Sequence, residues 1–121
     1  MTKISPWLSV TDAGAAVRFY EAGLGAIESE ADRFEEGGTL IVAHLAIDDA
    51  DFWVQADPSA NPEVAADSIR MILSVDDPDA LFARAVAAGA TEVAPVSDGH
   101  GWRIGRIADP AGHHWEIGKP L

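Results

Sequence analysis

Leu8-Ser9-Val10-Thr11-Asp12 recurs as Leu73-Ser74-Val75-Asp76-Asp77, 65 positions further along the chain. Each copy leads into an alanine-rich segment that ends in a glycine-alanine pair, Gly25-Ala26 in the first copy and Gly89-Ala90 in the second. A segment that is repeated together with its downstream context indicates an internal duplication. The duplication predicts the fold, because each copy must then form the same structural unit.

A third match lies later in each copy. Phe52-Trp53-Val54 resembles His114-Trp115-Glu116 at an offset of 62, with the two tryptophans aligned. The chain has 121 residues, a typical length for one domain. The matches predict a single domain over residues 1–121, divided into module one (1–57), a proline-broken connector (58–67) and module two (68–121).

Local signals predict the same order of elements in both modules. Apolar and β-branched runs at 4–10 and 69–75 indicate strands. Asp12 and Asp77 occupy N-cap positions before alanine-rich helices, and Pro78 fits the first helical position. Three strands are expected after each helix, at 26–30, 39–47 and 52–56 in module one and at 91–96, 102–108 and 114–118 in module two. The predicted fold is α+β, with tandem βαβββ modules whose sheets curl into a cup.

The composition excludes several classes of partner. Asp and Glu total 20 against 8 Lys and Arg, which gives a net charge of −12, so nucleic acid and anionic membranes are not expected to bind. No apolar run approaches the ~20 residues of a membrane helix, and no signal peptide is recognisable at the N-terminus. The absence of cysteine excludes thiolate chemistry and agrees with a cytoplasmic location.

Each helix covers one face of its sheet, and strand alternation identifies residues on the other face. Trp7 and Arg70 are expected there, as are His114 and Glu116 of the last strand. A mixture of aromatic, charged and apolar side chains is typical of a small-molecule site.

The four tryptophans divide into two expected groups. Trp53 and Trp115 align in the repeat and are expected in the core on the helix side. Trp7 and Trp102 are the candidates for a wall on which a ligand stacks.

The sequence resembles members of the vicinal-oxygen-chelate superfamily, which includes glyoxalase I, bleomycin-resistance proteins and extradiol dioxygenases. The resemblance rests on two stretches. The first is Leu8-Ser9-Val10-Thr11-Asp12, followed along the chain by Phe19-Tyr20 and Gly25-Ala26. The second is the terminal Asp109-Pro110-Ala111-Gly112-His113-His114-Trp115-Glu116. It covers essentially the whole chain and is closest to small bacterial proteins of the PhnB type. It implies the fold but leaves the reaction open, because isomerases, dioxygenases and drug-binding proteins share this fold.

In metal-dependent members of the superfamily, the first and last strands of each module supply the ligands. The resemblance places these positions at Ser5, Val54 (or Gln55 if the strand carries a bulge), Arg70 and Glu116. Glu116 alone is a good ligand, and the cationic Arg70 repels a metal ion. We therefore expect the usual metal site to be lost and no cofactor to be required. An atypical divalent-metal site would have to combine His114 and Glu116 with His44.

Without a metal, Arg70 and Glu116 could form a buried ion pair or orient a ligand, and the sequence favours neither. The glycine-flanked segment 95–101 is either a hairpin loop or a lid that carries His100. Glu116 and His100 are the catalytic candidates if the protein is an enzyme.

The leading hypothesis is a glyoxalase- or bleomycin-resistance-like protein that binds a small organic molecule and forms a homodimer. One alternative is a metal-dependent lyase, isomerase or dioxygenase-like enzyme with an atypical ligand set that includes Glu116. Another is a structural dimerisation module without a ligand.

Overall fold

The computed structural model describes residues 2–66 and 68–121, and it confirms an α+β fold built from two βαβββ modules. Module one contains β1 (Trp7–Val10), α1 (Ala13–Leu24), β2 (Ile27–Glu28), β3 (Phe34–Glu36), β4 (Thr39–Ile47) and β5 (Ala50–Ala56), with a short 3-10 turn at Glu30–Asp32. Module two contains β6 (Met71–Ser74), α2 (Pro78–Ala87), β7 (Thr91–Gly99), β8 (Trp102–Ala108) and β9 (His114–Pro120).

Each module forms its own sheet, and the two sheets have the same topology apart from the additional strand β3 in module one. Their strand orders are β1-β5-β4-β2, with β3 also pairing with β4, and β6-β9-β8-β7. The first strand of each module pairs in parallel with the last strand, and the other pairs are antiparallel. Neither sheet closes into a barrel. The helix of each module covers one face of its sheet and leaves the other face uncovered.

Local capping determines where the helices begin. The Asp12 carboxylate accepts a hydrogen bond from the Ala15 amide at 3.0 Å, and Asp77 accepts one from Ala80 at 3.1 Å. These bonds satisfy amides that have no partner within the helix. Gly25 ends α1 in the left-handed conformation at φ 73°.

Two segments differ from the sequence prediction. The charged segment Phe34–Glu36 forms an additional short strand, which its weak apolar pattern did not indicate. Strand β7 extends to Gly99, so residues 95–99 belong to one strand of a long hairpin, and His100 and Gly101 make the turn to β8. The pairing of β7 with β8 shifts register on either side of Ala94, beside Pro95, which has no amide to donate.

One hydrophobic core joins the two modules. Phe52 of β5 and Trp115 of β9 lie on the helix-covered sides of their sheets, and their rings are 5.3 Å apart. Tyr20 of α1 contacts both rings. On α2, Phe82 lies so close to β8 that a Cβ at Gly105 would approach its ring to 2.8 Å. The two helix-covered sides therefore share a single interior.

Asp109 is the one buried charged residue among those described, with 4% of its surface exposed. Its carboxylate accepts hydrogen bonds from the Tyr20 hydroxyl at 2.5 Å and from the Trp115 indole at 2.9 Å. The amides of Ala111 and His113 each donate to it at 3.0 Å. Burial, and then the negative charge of Asp109, raise the pKa of Tyr20 well above its usual range, so the hydroxyl stays protonated and donates.

Replacing Tyr20 with Phe tests this contact, because the change removes only the hydroxyl. We expect the Y20F variant to lose about 1.5–3 kcal/mol of unfolding free energy, the range for a hydrogen bond to a charged group. Chemical denaturation measures the loss. The matched control is Ser59→Ala, which removes an exposed hydroxyl bonded to Asp57 at 2.7 Å and should cost less than about 0.5 kcal/mol. Equal losses in the two variants would contradict a stabilising role for the buried bond.

Candidate functional site

The candidate site lies on the two sheet faces that the helices leave uncovered, here called the module-one face and the module-two face. The module-one face carries Trp7, Gln55, Trp53 and His44 from strands β1, β5 and β4. The module-two face carries Arg70, Ile72, Trp102, Ile104, Arg106, His114 and Glu116. Because the helix-covered sides share the core, both faces lie outside it.

The strand register corrects the repeat alignment by one residue. Leu8 pairs with Val54 in module one, and the equivalent Leu73 pairs with Ile117 in module two. The true counterpart of Glu116 is therefore Trp53. A slip of one residue moves a side chain to the opposite face of a sheet.

Two predictions fail for this reason. Val54 is 0% exposed and lies in the core, so it is not an open-face position equivalent to Glu116. Trp53, which was expected in the core with Trp115, lies on the module-one face. Gln55 also lies on that face, because it is two residues after Trp53 in the same strand. The pairing of β1 with β5 is continuous, so no bulge is needed to place it there.

Three rings form a stack on the module-one face. Trp7 and Trp53 have ring centroids 6.0 Å apart at 22°, and Trp53 and His44 are 3.9 Å apart and nearly parallel at 6°. The Trp7 indole donates to the side-chain oxygen of Gln55 at 3.0 Å, which fixes its orientation. Since Trp7 remains 52% exposed, its outer surface is available for another flat group.

His44 is fixed by two carboxylates as well as by the stack. Its ring nitrogens contact Asp51 at 2.7 Å and Asp32 at 2.9 Å. Partial burial lowers the pKa of His44, but the hydrogen bonds and charges of Asp51 and Asp32 together outweigh it and raise the pKa above its usual value. Asp51 also accepts from the Ser5 hydroxyl at 2.9 Å and pairs with Lys3 at 3.0 Å. His44, Lys3 and Ser5, in that order, lower the pKa of Asp51 far below its usual range.

The structure contains two cavities of similar size. One of about 410 Å³ lies between the two modules, and one of about 340 Å³ lies on the module-two face. The cavity on the module-two face brings together three predicted site residues, His100, Trp102 and Glu116. The second cavity is lined by Ile72, Gly99, His100, Trp102, Ile104 and Glu116. His100 is held at its rim with a positive φ of 54°. Trp7 lies on the module-one sheet and Trp102 on the module-two sheet, so the two predicted stacking residues are not adjacent within a single chain.

Arg70 lies just before β6, two residues from Ile72, the register partner of Glu116, and it is not tightly paired with Glu116. The Arg70 Nε lies 3.6 Å from a Glu116 oxygen, and the Arg70 side chain is 48% exposed. This geometry excludes a buried ion pair that saturates both groups.

His114 lies two residues before Glu116 on the same face, and its buried Nδ1 has no hydrogen-bond partner among the described residues.

Arg106 is a site residue that the sequence analysis missed. It pairs with Glu116 in the register of β8 and β9, on the face opposite Gly105 and Ile107. Its Nε is excluded from solvent and has no partner within residues 2–66 and 68–121. Alternation from Trp102 along β8 would have placed it on this face.

The donor groups at the superfamily's metal positions do not fit a divalent ion. With the corrected register these positions are Ser5, Trp53, Arg70 and Glu116. Trp53 has no lone pair to donate, Arg70 is cationic, and Ser5 is bonded to Asp51. His44 lies on the module-one face, away from His114 and Glu116. In the part of the chain that the structure describes, no three His, Asp or Glu side chains are grouped to hold a metal ion.

Comparisons with known proteins identify the class to which this fold and site belong. The family model of the glyoxalase-like domain matches residues 7–118. An uncharacterized protein of Mycobacterium bovis is 36% identical over 127 residues, which cover 98% of this chain and 83% of that protein. A relative in Mycobacterium tuberculosis H37Rv has the same identity and covers 98% of this chain and 74% of its own.

Solved structures show the same fold. TioX from Micromonospora sp. ML1 superimposes with a TM-score of 0.79 at 27% identity, over 100% of both chains. The bleomycin-binding protein of Streptomyces verticillus, solved with copper(II)-bleomycin, has a TM-score of 0.70 at 24% identity, also over 100% of both chains. The architecture is thus that of the glyoxalase, bleomycin-resistance and dioxygenase superfamily. Within it, the chain belongs to the glyoxalase-like domain family.

No helix among the described residues is long and apolar enough to cross a membrane.

The His44 contacts predict a pH dependence of stability with a definite sign. A histidine whose pKa is raised in the folded state stabilises the protein fully below its unfolded pKa of about 6.5, and this contribution is lost as the pH rises through the folded value. The unfolding free energy of wild type minus that of His44→Gln should therefore fall as the pH rises above about 6.5. Denaturation at a series of pH values measures the difference.

The control for this experiment is Ser59→Ala, an exposed position at which neither side chain is ionisable. Its difference from wild type should vary little above about pH 6.5, because the pKa of its partner Asp57 is lowered by the hydrogen bonds from Ser59 and this carboxylate stays ionised. A wild-type advantage over His44→Gln that grows with pH would contradict the assignment.

Proposed function

We propose that this protein binds a small organic molecule on the module-two face without the help of a metal ion. The observation that supports it is the cavity in which Ile72, Trp102 and Ile104 form apolar walls around Glu116. Largely apolar concave sites with a few convergent polar groups are typical of small-molecule binding. The unsuitable donor set at the superfamily's metal positions favours binding over metal-dependent lyase, isomerase or dioxygenase chemistry. His100 and Glu116 remain the candidates for any catalysis.

We further propose that the protein acts as a cytoplasmic homodimer in which the module-one face of one copy covers the module-two face of the other. Ile4, Trp7, Ile69 and Ile72 are all more than half exposed, and clustered apolar exposure is typical of an interface. Pairing the faces in this way would bring Trp7 of one copy and Trp102 of the other to the same cup. The resemblance in fold to a protein solved with bound copper(II)-bleomycin supports a binding role for this architecture.

Mixed dimers test both proposals together. In the proposed arrangement, a dimer of one Trp7→Ala chain and one Trp102→Ala chain has one cup with both changes and one intact cup. The neutral fluorescent probe N-phenyl-1-naphthylamine should bind that mixed dimer at half the wild-type stoichiometry with wild-type affinity. Each variant alone should bind about fivefold more weakly, because a stacked aromatic ring contributes about 1 kcal/mol.

The mixed dimer is obtained by co-expressing the two variants with different affinity tags, and fluorescence titration gives the stoichiometry. The control mixture combines Trp7→Ala with Ser59→Ala, whose altered residue is exposed and belongs to neither face. If the Trp7→Ala and Trp102→Ala mixture recovers no high-affinity site, the cup is not shared between copies. If the probe and a diverse panel of aromatic compounds fail to bind wild type, the binding function itself is wrong.

Metal analysis tests the absence of a cofactor. Protein purified without chelators should contain no stoichiometric Ni²⁺, Zn²⁺, Mn²⁺ or Fe²⁺, and adding these ions should leave the thermal midpoint unchanged. The reason is that Trp53 and Arg70 replace donors that such ions require. Elemental analysis and thermal denaturation provide the measurements. A stoichiometric ion that is lost on Glu116→Gln substitution would establish the atypical metal site instead.

A further inference from the structure

Four of the eight Lys and Arg side chains of this acidic protein make close ion pairs or hydrogen bonds with described residues of the chain. Arg33 and Arg103 each contact two carboxylates at 2.6–2.9 Å. Arg84 donates from α2 to the carbonyl oxygens of Ala22 at 2.8 Å and Glu21 at 3.3 Å, at the end of α1. Lys3 pairs with Asp51 at 3.0 Å. A basic side chain without such a partner requires an explanation where one of its nitrogens is also excluded from solvent.

The module-two face holds two arginines that are not saturated. Arg70 approaches Glu116 only to 3.6 Å, beyond the usual range of a hydrogen bond. Arg106 forms no ion pair or hydrogen bond with any described residue, although its Nε is excluded from solvent. A buried N–H without an acceptor is destabilising, and such groups normally have a partner. The buried Nδ1 of His114, on the same face, has no described partner either.

Among the described residues, the module-two face carries more positive than negative charge. The guanidinium groups of Arg70 and Arg106 lie there with one carboxylate, that of Glu116, which is 3.6 Å from Arg70 and forms no ion pair with Arg106. A guanidinium binds a carboxylate through two parallel N–H donors, a geometry that water or a carbonyl does not match. Ile72, Ile104 and Trp102 line a cavity together with Glu116, which is the register partner of Arg106 and lies 3.6 Å from Arg70.

We infer that the ligand of the module-two face is an apolar, ring-containing carboxylate whose anionic group accepts hydrogen bonds from Arg106 and Arg70. Its hydrophobic body lies against Ile72, Ile104 and Trp102. The inference rests on the proposed binding function and specifies the chemical class of the ligand. Glu116 competes with the ligand carboxylate for Arg70 and thereby weakens its binding.

Three probes of one shape test the charge preference: naphthalene-2-carboxylate, naphthalene-2-carboxamide and 2-naphthylmethylamine. Calorimetric titration of the full-length wild type at fixed ionic strength should show the carboxylate binding about tenfold or more tightly than the amide, with the ammonium weakest. Arg106→Met should reduce carboxylate affinity to that of the amide and leave the amide unchanged. Arg106→Lys should retain part of the preference.

Glu116→Gln gives a prediction of opposite sign. Removing the competing carboxylate should tighten binding of naphthalene-2-carboxylate severalfold and leave the amide unchanged. A merely structural role for Glu116 would weaken both probes equally.

The matched control is Arg103→Met, which removes the same charge from the same strand β8 on its helix-covered side. It should leave the carboxylate preference intact, and circular dichroism should show that both methionine variants are folded. Equal losses in Arg103→Met and Arg106→Met would overturn the inference, because a general change in charge would explain them. A shift of Arg106→Met from dimer to monomer would also overturn it, since the acceptor would then belong to the second copy.

The probes also separate this inference from the binding function on which it rests. Equal binding of carboxylate and amide, both weakened by Trp102→Ala, would overturn the anionic ligand class and leave the binding function standing. No binding by any of the three probes would overturn the inference as well. The binding function would then be judged by the neutral probe and the mixed dimers alone.

Discussion

The buried carboxylate of Asp109 is the constraint on which the rest of the structure depends. A charge removed from water is stable only when it is fully hydrogen-bonded. Here the donors come from a helix in module one, a strand in module two and the turn between two strands. The network is complete only when the two modules are docked with their helix-covered sides together. The same contact therefore closes the core and leaves two uncovered sheet faces outside it.

The two uncovered faces share an ancestry in the duplication but have diverged in chemistry. On the module-one face, Asp51 is satisfied by His44, Ser5 and Lys3, so its polar groups are paired within the chain. On the module-two face, Arg106 and the Nδ1 of His114 have buried nitrogens without partners among the described residues. The described polar groups around Asp51 on the module-one face are satisfied within the chain, whereas the module-two face has buried nitrogens that need a hydrogen-bond acceptor. This asymmetry favours a ligand whose polar end contacts module two.

The sequence predicted what local signals determine and missed what distant contacts determine. The capping residues Asp12 and Asp77 and the alternation in the last strand were enough to place both helices and the face of Glu116. Phe52-Trp53-Val54 is apolar throughout, so alternation could not show which residue is buried, and only the pairing of Leu8 with Val54 decides it. The bond from Tyr20 to Asp109 spans 89 positions, beyond any local pattern. Arg106 could have been found, because it alternates in register with Trp102.

The position of Arg70 connects the divergence to function. Superfamily resemblance places a metal ligand there, and the structure places a guanidinium whose positive charge occupies the same part of the cup. A metal ion offers open coordination positions to a substrate, whereas a guanidinium offers fixed N–H donors and no such position. The substitution therefore keeps an electrostatic attraction for oxygen atoms while removing the means of holding an ion. Together with Trp53 at the equivalent position of module one, it leaves neither module with a pair of groups that can donate to a metal ion.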